Sequence, residues 1–356
     1  MNKVKKSNIG FVSYWFNRGQ AIVTKYVKAI FDEAGYSTYV LVRSADKPGT
    51  NIGDWAQKNI TIGSNKLNID LSVYKKWIID NEINVIFFDQ NYQFDEILEI
   101  RKMGVKTIGR FVWEEFDRSH AAGAKKSYDL IYSLTRAEHL RYKSDFNINS
   151  TFIRWGIPSS LFGITNKVDR HDDLIWFYYP AGYCSSRKSL KETIKAFSLV
   201  KNNNIRLLIT TQKPITGILD NRIVVHYGDV EKYSDFLKIM STCDICIIPS
   251  RWEGLGLSFI ESFSLKMPII TTNYPPMNEY VTNGADGYLV KCHLNSKLPN
   301  GLFAADIDIK DLSRIISISA DKSKVLQMSN YIEKYKQNLY SWSNTSNDYL
   351  RLLDNI

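Results

Sequence analysis

Long apolar runs are missing from this sequence. No stretch approaches the roughly 18 residues that a membrane-crossing helix needs. The opening "MNKVKKSNIGFVSYWF" has neither the apolar core nor the small-residue cleavage site of a secretory leader. A cytoplasmic chain is expected. Cysteine is scarce too, at four in 356 residues, which suits a compartment where thiols stay reduced. The one close pair, Cys243 and Cys246 in "STCDICIIPS", has no second C-x-x-C to complete a zinc site and runs into an apolar strand. Buried thiols are expected there. His120, His139, His171, His226 and His293 show no metal-ligand spacing. A repeated basic and aromatic reading surface is also lacking, which argues against nucleic acid as a partner.

What is present is length, charge and a regular alternation. A chain of 356 residues with 44% hydrophobic content is too long for one ordinary core, so two domains are expected. The net charge is +9, and residues 1–165 hold 23 Lys and Arg against 17 Asp and Glu, so most of the excess falls in the first half. That bias favours anionic partners such as phosphate-bearing small molecules or an anionic membrane.

"SNIGFVSYWF" reads as a strand ending in the turn "NRGQ", followed by helical spacing in "AIVTKYVKAIFDEAG" that stops at Gly35. "STYVLVRS", "NVIFFDQ", "KTIGRFVW", "DLIYSL" and "STFIRWG" supply further strands, separated by helical segments such as "LSVYKKWIIDNE" and "FDEILEIRKMG". After a polar stretch near residues 159–172 the alternation resumes with "DLIWFYYPAG", "IRLLITTQ", "RIVVHYG", "DICIIPS", "PIITTN" and "GYLVK". The pattern predicts an α/β chain of two doubly wound, Rossmann-like domains facing a cleft. The expected domain divisions are 1–165 and 166–335, with residues 336–356 after them.

One stretch carries chemistry. In "PSRWEGLGLSFIES", residues 249–262, a buried strand ends, a glycine loop follows and a helix begins. Free amides at a helix N-terminus attract phosphate, and Gly254 and Gly256 let a ligand approach the backbone closely. Glu253 precedes that seat and Glu261 lies about two turns beyond it. One bound anion therefore has two carboxylates at different distances, as hydroxyls on either side of a nucleotide-sugar diphosphate require. Tyr14, Trp15 and Phe16, at the end of the first strand, suit acceptor stacking or core packing equally.

These residues resemble the donor-binding signature of retaining GT-B glycosyltransferases, specifically glycosyltransferase family 4, with its E-x7-E pair in "EGLGLSFIE". "AGYCSSRKSLKETIKAF" resembles that family's phosphate-binding strand, loop and helix, "VVHYGDVEKYSDFLKIMSTCDI" the segment beneath the nucleobase, "INSTFIRWGIPSSLF" the end of the first domain, and "YSWSNTSNDYLRLL" the closing helix, over 336–356, that returns to the first domain. The likeness is strong over about residues 155–350 and weaker before. It implies that Glu253 holds hydroxyls of the donor sugar and Glu261 accepts from the ribose. Lys188 and Arg187 would neutralise the diphosphate, aided by the amides of Leu255, Gly256, Leu257 and Ser258. Tyr227 and Val230 would lie by the base, and Gly19 would let the first domain's backbone approach the donor.

Departures from the family pattern are visible. Gly182 and Tyr183 stand where the family has Gly-Arg, so Arg187 is the substitute cation, being suited to bidentate phosphate contact. Met267 replaces the glycine usually found before the proline, here Pro268, as a packing difference. The family's first-domain histidine is missing from "GRFVWEEFDRSH", which leaves Arg110, Trp113, Glu114 and His120 open as its replacement. Asp306 and Asp308 in "ADIDIKDL" read as the acidic entry to a helix rather than a D-x-D metal site. The resemblance thus implies transfer of a sugar from a UDP-sugar, with a GDP-sugar behind, to a glycan or lipid-linked glycan in cell-surface polysaccharide assembly, with a soluble sugar or a protein as the alternative acceptor. No cofactor and no metal ion are expected, and the inner membrane face is the expected place of work. A sugar-nucleotide epimerase of the same architecture and a noncatalytic nucleotide-binding module are the competing readings.

Overall fold

The computed structural model describes residues 6–112, 114–164, 172–217, 220–228 and 233–356. The chain divides into two compact units, one of Met1–Arg154 with Ser343–Ile356, the other Trp155–Trp342.

In the first unit the order is β1 (Asn8–Ser13), α1 (Gly19–Glu33), β2 (Ser37–Val42), β3 (Ile60–Ile62), α2 (Leu71–Asp80), β4 (Ile83–Asp89), α3 (Phe94–Lys102), β5 (Lys106–Arg110), α4 (Arg118–Ser127), β6 (Leu130–Ser133), α5 (Arg136–Phe146) and β7 (Thr151–Phe152). The strands form one sheet in the order β3-β2-β1-β4-β5-β6-β7, with every pair parallel. β1 and β4 are buried along nearly their whole length, which is why they read as continuous apolar runs. The short edge strand β3 was not foreseen. Its last two residues are exposed and the first is half-buried, and it carries no apolar run.

The second unit repeats the plan with β8 (Ile175–Gly182), α6 (Leu190–Leu199), β9 (Ile205–Thr211), β10 (Ile223–Tyr227), α7 (Tyr233–Ser241), β11 (Ile245–Ile248), α8 (Leu257–Ser264), β12 (Ile269–Thr272) and β13 (Gly287–Val290). The six strands run in the order β10-β9-β8-β11-β12-β13, again all parallel. Gly287 fits β13 against β12 because a Cβ there would lie 1.9 Å from the Ile269 carbonyl oxygen. Cys243 and Cys246 are reduced thiols buried at β11, as expected for core cysteines.

Two features differ from the sequence reading. A separate antiparallel hairpin, β14 (Cys292–Lys297) and β15 (Phe303–Ile307), follows β13. Asp306 therefore sits in a strand, and only Asp308 enters the helix α9 (Ile309–Ser319), capping the amides of Lys310 and Asp311. The C-terminal segment is also not one helix. Residues Lys322–Tyr331 are α-helical, Ile332–Lys336 wind as a π-helix, and the closing helix runs Trp342–Arg351. That helix packs in the first unit, with Tyr349 edge-on to Tyr132 and the Thr345 hydroxyl donating to the Arg154 carbonyl at 2.8 Å.

Candidate active site

A strand order that runs outward in both directions from one pair leaves a gap beyond the carboxyl ends of that pair, where the two following loops diverge. In the second unit the pair is β8 and β11. The loop after β8 carries Arg187 and Lys188, and the loop after β11 carries Glu253.

The three side chains meet. Lys188 Nζ lies 2.8 Å from one carboxylate oxygen of Glu253, and Arg187 lies 2.5 Å from the other. The Ser250 hydroxyl donates to the Lys188-facing oxygen at 2.8 Å. Glu253 is only 4% exposed. Burial raises its carboxyl pKa, but Arg187, Lys188 and the Ser250 hydroxyl outweigh it and bring the group down to about 2. Burial draws Lys188 below the usual lysine value, with Glu253 opposing. Lys188 does not start a helix: it ends a single 3-10 turn, Ser186–Lys188, and Ser189 then takes a left-handed conformation to begin α6.

The glycine loop leads into α8. Gly256 has φ +70°, and a Cβ there would meet the Phe259 ring at 2.7 Å, so only glycine fits. Leu257 and Ser258 form the first turn of α8, and among the described residues no side-chain hydrogen bond caps it. Tyr280 holds this loop from outside: its hydroxyl donates to the Leu255 carbonyl at 2.5 Å, and its ring stacks on Phe259 at 4.4 Å. Lys336 of the π-helix donates in turn to the Tyr280 carbonyl and pairs with buried Asp286 at 3.1 Å.

Glu261, buried in α8, accepts from the Tyr233 hydroxyl at 2.6 Å. Its carboxyl pKa is raised, chiefly by burial. Tyr227 ends β10 with its side chain 59% exposed. Gly19 opens α1 in the first unit, directly after the turn that follows β1. Val230, Trp113 and His171 lie outside the described residues. Tyr183, where the family has arginine, is exposed, and Gly182 before it has φ +53°.

The first unit has its own polar cluster at the carboxyl edge of its sheet, and sequence reading found only part of it. Asp89 ends β4, Arg110 ends β5 and Arg43 follows β2; all three are buried. Arg110 approaches Asp89 at 3.3 Å, yet neither Asp89 oxygen accepts a hydrogen bond among the described residues. Burial raises the Asp89 pKa against the pull of Arg110, Arg43 and Arg18. Arg43 donates to the Gln90 carbonyl at 2.6 Å, and Gln90 donates to Glu115 at 2.6 Å. The guanidinium groups of Arg18 and Arg43 lie 5.0 and 4.9 Å from the Tyr14 ring centroid, whereas Trp15 is a core residue whose indole N–H donates to the Trp55 carbonyl. His120 completes the cap of α4, its Nδ1 accepting from the Asp117 amide at 3.2 Å, and packs at a tilt against Tyr92. Among the described residues no three His, Cys, Asp or Glu side chains are grouped to hold a metal ion, and no helix is long and apolar enough to cross a membrane.

Residues 175–302, which include both loops, match the family model described as glycosyl transferases group 1. The chain is 25% identical over 112 residues to the capsular polysaccharide biosynthesis glycosyltransferase CapM of Staphylococcus aureus, covering 29% of this chain and 30% of that protein. It is 25% identical over 142 residues to N,N'-diacetylbacillosaminyl-diphospho-undecaprenol alpha-1,3-N-acetylgalactosaminyltransferase of Campylobacter jejuni, covering 39% of this chain and 34% of that protein. These matches span about a third of either relative's length. Among solved structures, Anabaena HepE in complex with UDP shares the fold with a TM-score of 0.71 at 11% identity, over 99% of this chain and 100% of that one. The group 1 match lies within the second unit, and the GT-B fold is shared with this solved structure over nearly the whole chain.

Proposed function

We propose that the chain is a retaining glycosyltransferase that moves a sugar from a UDP-sugar to a glycan or lipid-linked glycan acceptor in cell-surface polysaccharide assembly. The observation that carries this reading is the buried Glu253 held between Lys188 and Arg187 at the switch point of the second sheet. Two cations over one carboxylate leave a net positive charge beside the uncapped amides of α8, which suits a diphosphate.

In this reading the bond from the anomeric carbon to the diphosphate breaks as the acceptor oxygen bonds to the same face of that carbon. The acceptor proton passes to the departing phosphate oxygen. Lys188 and Arg187 neutralise the charge that develops there, an electrostatic stabilisation of the transition state. Glu253, ionised at neutral pH, accepts from donor-sugar hydroxyls, and Glu261 accepts from the ribose. The two side-chain cations do the work that a metal ion does in other transferases, so neither metal nor cofactor is part of the proposal. The UDP preference draws on the UDP bound by the Anabaena neighbour, and the lipid-linked acceptor on the Campylobacter relative.

Proton NMR of the fresh product of a UDP-sugar reaction tests the mechanism. The expected product keeps the donor's anomeric configuration, and an inverted product overturns both mechanism and family 4 membership. A nucleotide sugar converted to its epimer without any acceptor would establish the epimerase reading instead. The basic excess of residues 1–165 supports peripheral binding to an anionic leaflet, where each nearby basic residue contributes about 1 kcal/mol. Flotation with anionic liposomes at low salt should carry the protein upward; protein left at the bottom makes a soluble acceptor the better choice.

A further inference from the structure

Among the described residues the second unit carries one pair of strands outside its parallel sheet, the β14–β15 hairpin. It turns at Pro299-Asn300-Gly301, with Gly301 at φ +85°, and its strands are paired irregularly between His293 and Ser296. Among the described residues, Arg251 bonds the hairpin to the site. The Arg251 amide donates to the Arg187 carbonyl at 2.8 Å, and its carbonyl accepts from the Ala305 amide at 2.9 Å. Its guanidinium donates to Asp306 at 2.6 Å and to Ser296 at 3.1 Å, and lies over the Trp252 ring. One backbone unit therefore joins three segments: the Arg187–Lys188 turn, the loop that carries Glu253, and the hairpin.

The charges make the arrangement specific. Arg187, Lys188 and Arg251 bring three cations into the two loops, and Glu253 takes the first two. Asp306 takes the third and holds its guanidinium on the hairpin. As an ion pair between partly exposed groups this contact contributes little to global stability. Its geometry, two backbone and two side-chain hydrogen bonds on one residue, instead restricts where the Glu253 loop can go.

We propose that the β14–β15 hairpin is a brace for this site, with Asp306 as a positioning residue that acts through Arg251 to fix the Glu253 loop against the Arg187–Lys188 turn. The brace is a property of the second unit alone; its effect on nucleotide binding rests on the donor-site reading above.

The test compares the full-length chain with its Asp306→Ala variant by hydrogen exchange of peptides spanning residues 184–189 and 249–256, and by calorimetric titration with UDP. Loss of a charge-assisted hydrogen bond should speed exchange in both peptides about tenfold and weaken UDP about tenfold, with the melting temperature little changed. Asp306→Asn keeps an acceptor and should stay within about threefold of the parent. Exchange equal to the parent in both peptides overturns the brace, even if UDP binds. Faster exchange in a protein that binds no UDP before or after substitution leaves the brace standing and removes the donor-site reading. Should Asp306→Ala unfold the unit, Ser296→Ala serves the same comparison, with about threefold faster exchange expected in the same peptides and none elsewhere.

Discussion

The two units solve the same folding problem with the same strand order, and each places a buried acid among cations at the carboxyl edge of its sheet. They differ in how the acid is held. Glu253 has a partner for each oxygen and is pulled down to about 2. Asp89 has three arginines around it, accepts no hydrogen bond among the described residues, and is pushed up by burial. Opposite charges nearby do not suffice; hydrogen-bond geometry decides whether they repay the desolvation of a carboxylate. On the proposed reading the second unit's edge is preorganised for an anion, whereas the first unit's edge carries unspent acceptor capacity.

The largest expected break in this comparison is Lys188→Ala. Removing a charged contact to phosphate costs about 1.5 to 3 kcal/mol, so UDP-sugar turnover at low donor concentration should fall tenfold to a hundredfold. Arg43→Ala, at the edge of the first unit, should leave UDP affinity near that of the parent. Equal losses in the two variants would show that the donor cations are not confined to the second unit.

The second contrast concerns stability. Glu253 is lowered from 4.5 to about 2, a difference equivalent to about 3 kcal/mol of stabilisation at neutral pH. A lowered carboxyl pKa stabilises above its unfolded value, so this contribution is lost as pH falls from about 4.5 to about 2. Asp89 is raised, so its ionised form costs stability that protonation restores as pH falls. Glu253→Gln should therefore lower the melting temperature at pH 7 more than Asp89→Asn does, and the gap should close in acid. A larger loss for Asp89→Asn would contradict the reading of the two edges.

How far the sequence shows these sites follows from how local their determinants are. The buried strands of both sheets were legible as apolar runs, and the Glu253 loop as a short signature in which strand, glycines and helix follow one another. Lys188 was indicated by the resemblance of its segment to the family's phosphate-binding loop. Asp89 was not, because its neighbours come from the ends of β2, β4 and β5, which only the folded sheet brings together. Ser250 and Tyr233, the hydroxyl partners of Glu253 and Glu261, were missed because a lone Ser or Tyr carries no pattern. The hairpin had a signal that was passed over. Asn300-Gly301 between two short runs marks a hairpin turn, but polar, exposed strands such as "CHLNSK" lack the alternation that would have confirmed it.

The most direct test of the donor site is the steady-state kinetics of Glu253→Ala with a UDP-sugar, resolved into kcat and KM. Contacts beside the reacting carbon strengthen in the transition state, so the account predicts a fall in kcat of about tenfold to a hundredfold with a smaller change in KM. Parental kcat and KM in that variant would contradict the placement of the active site at the carboxyl edge of the second unit.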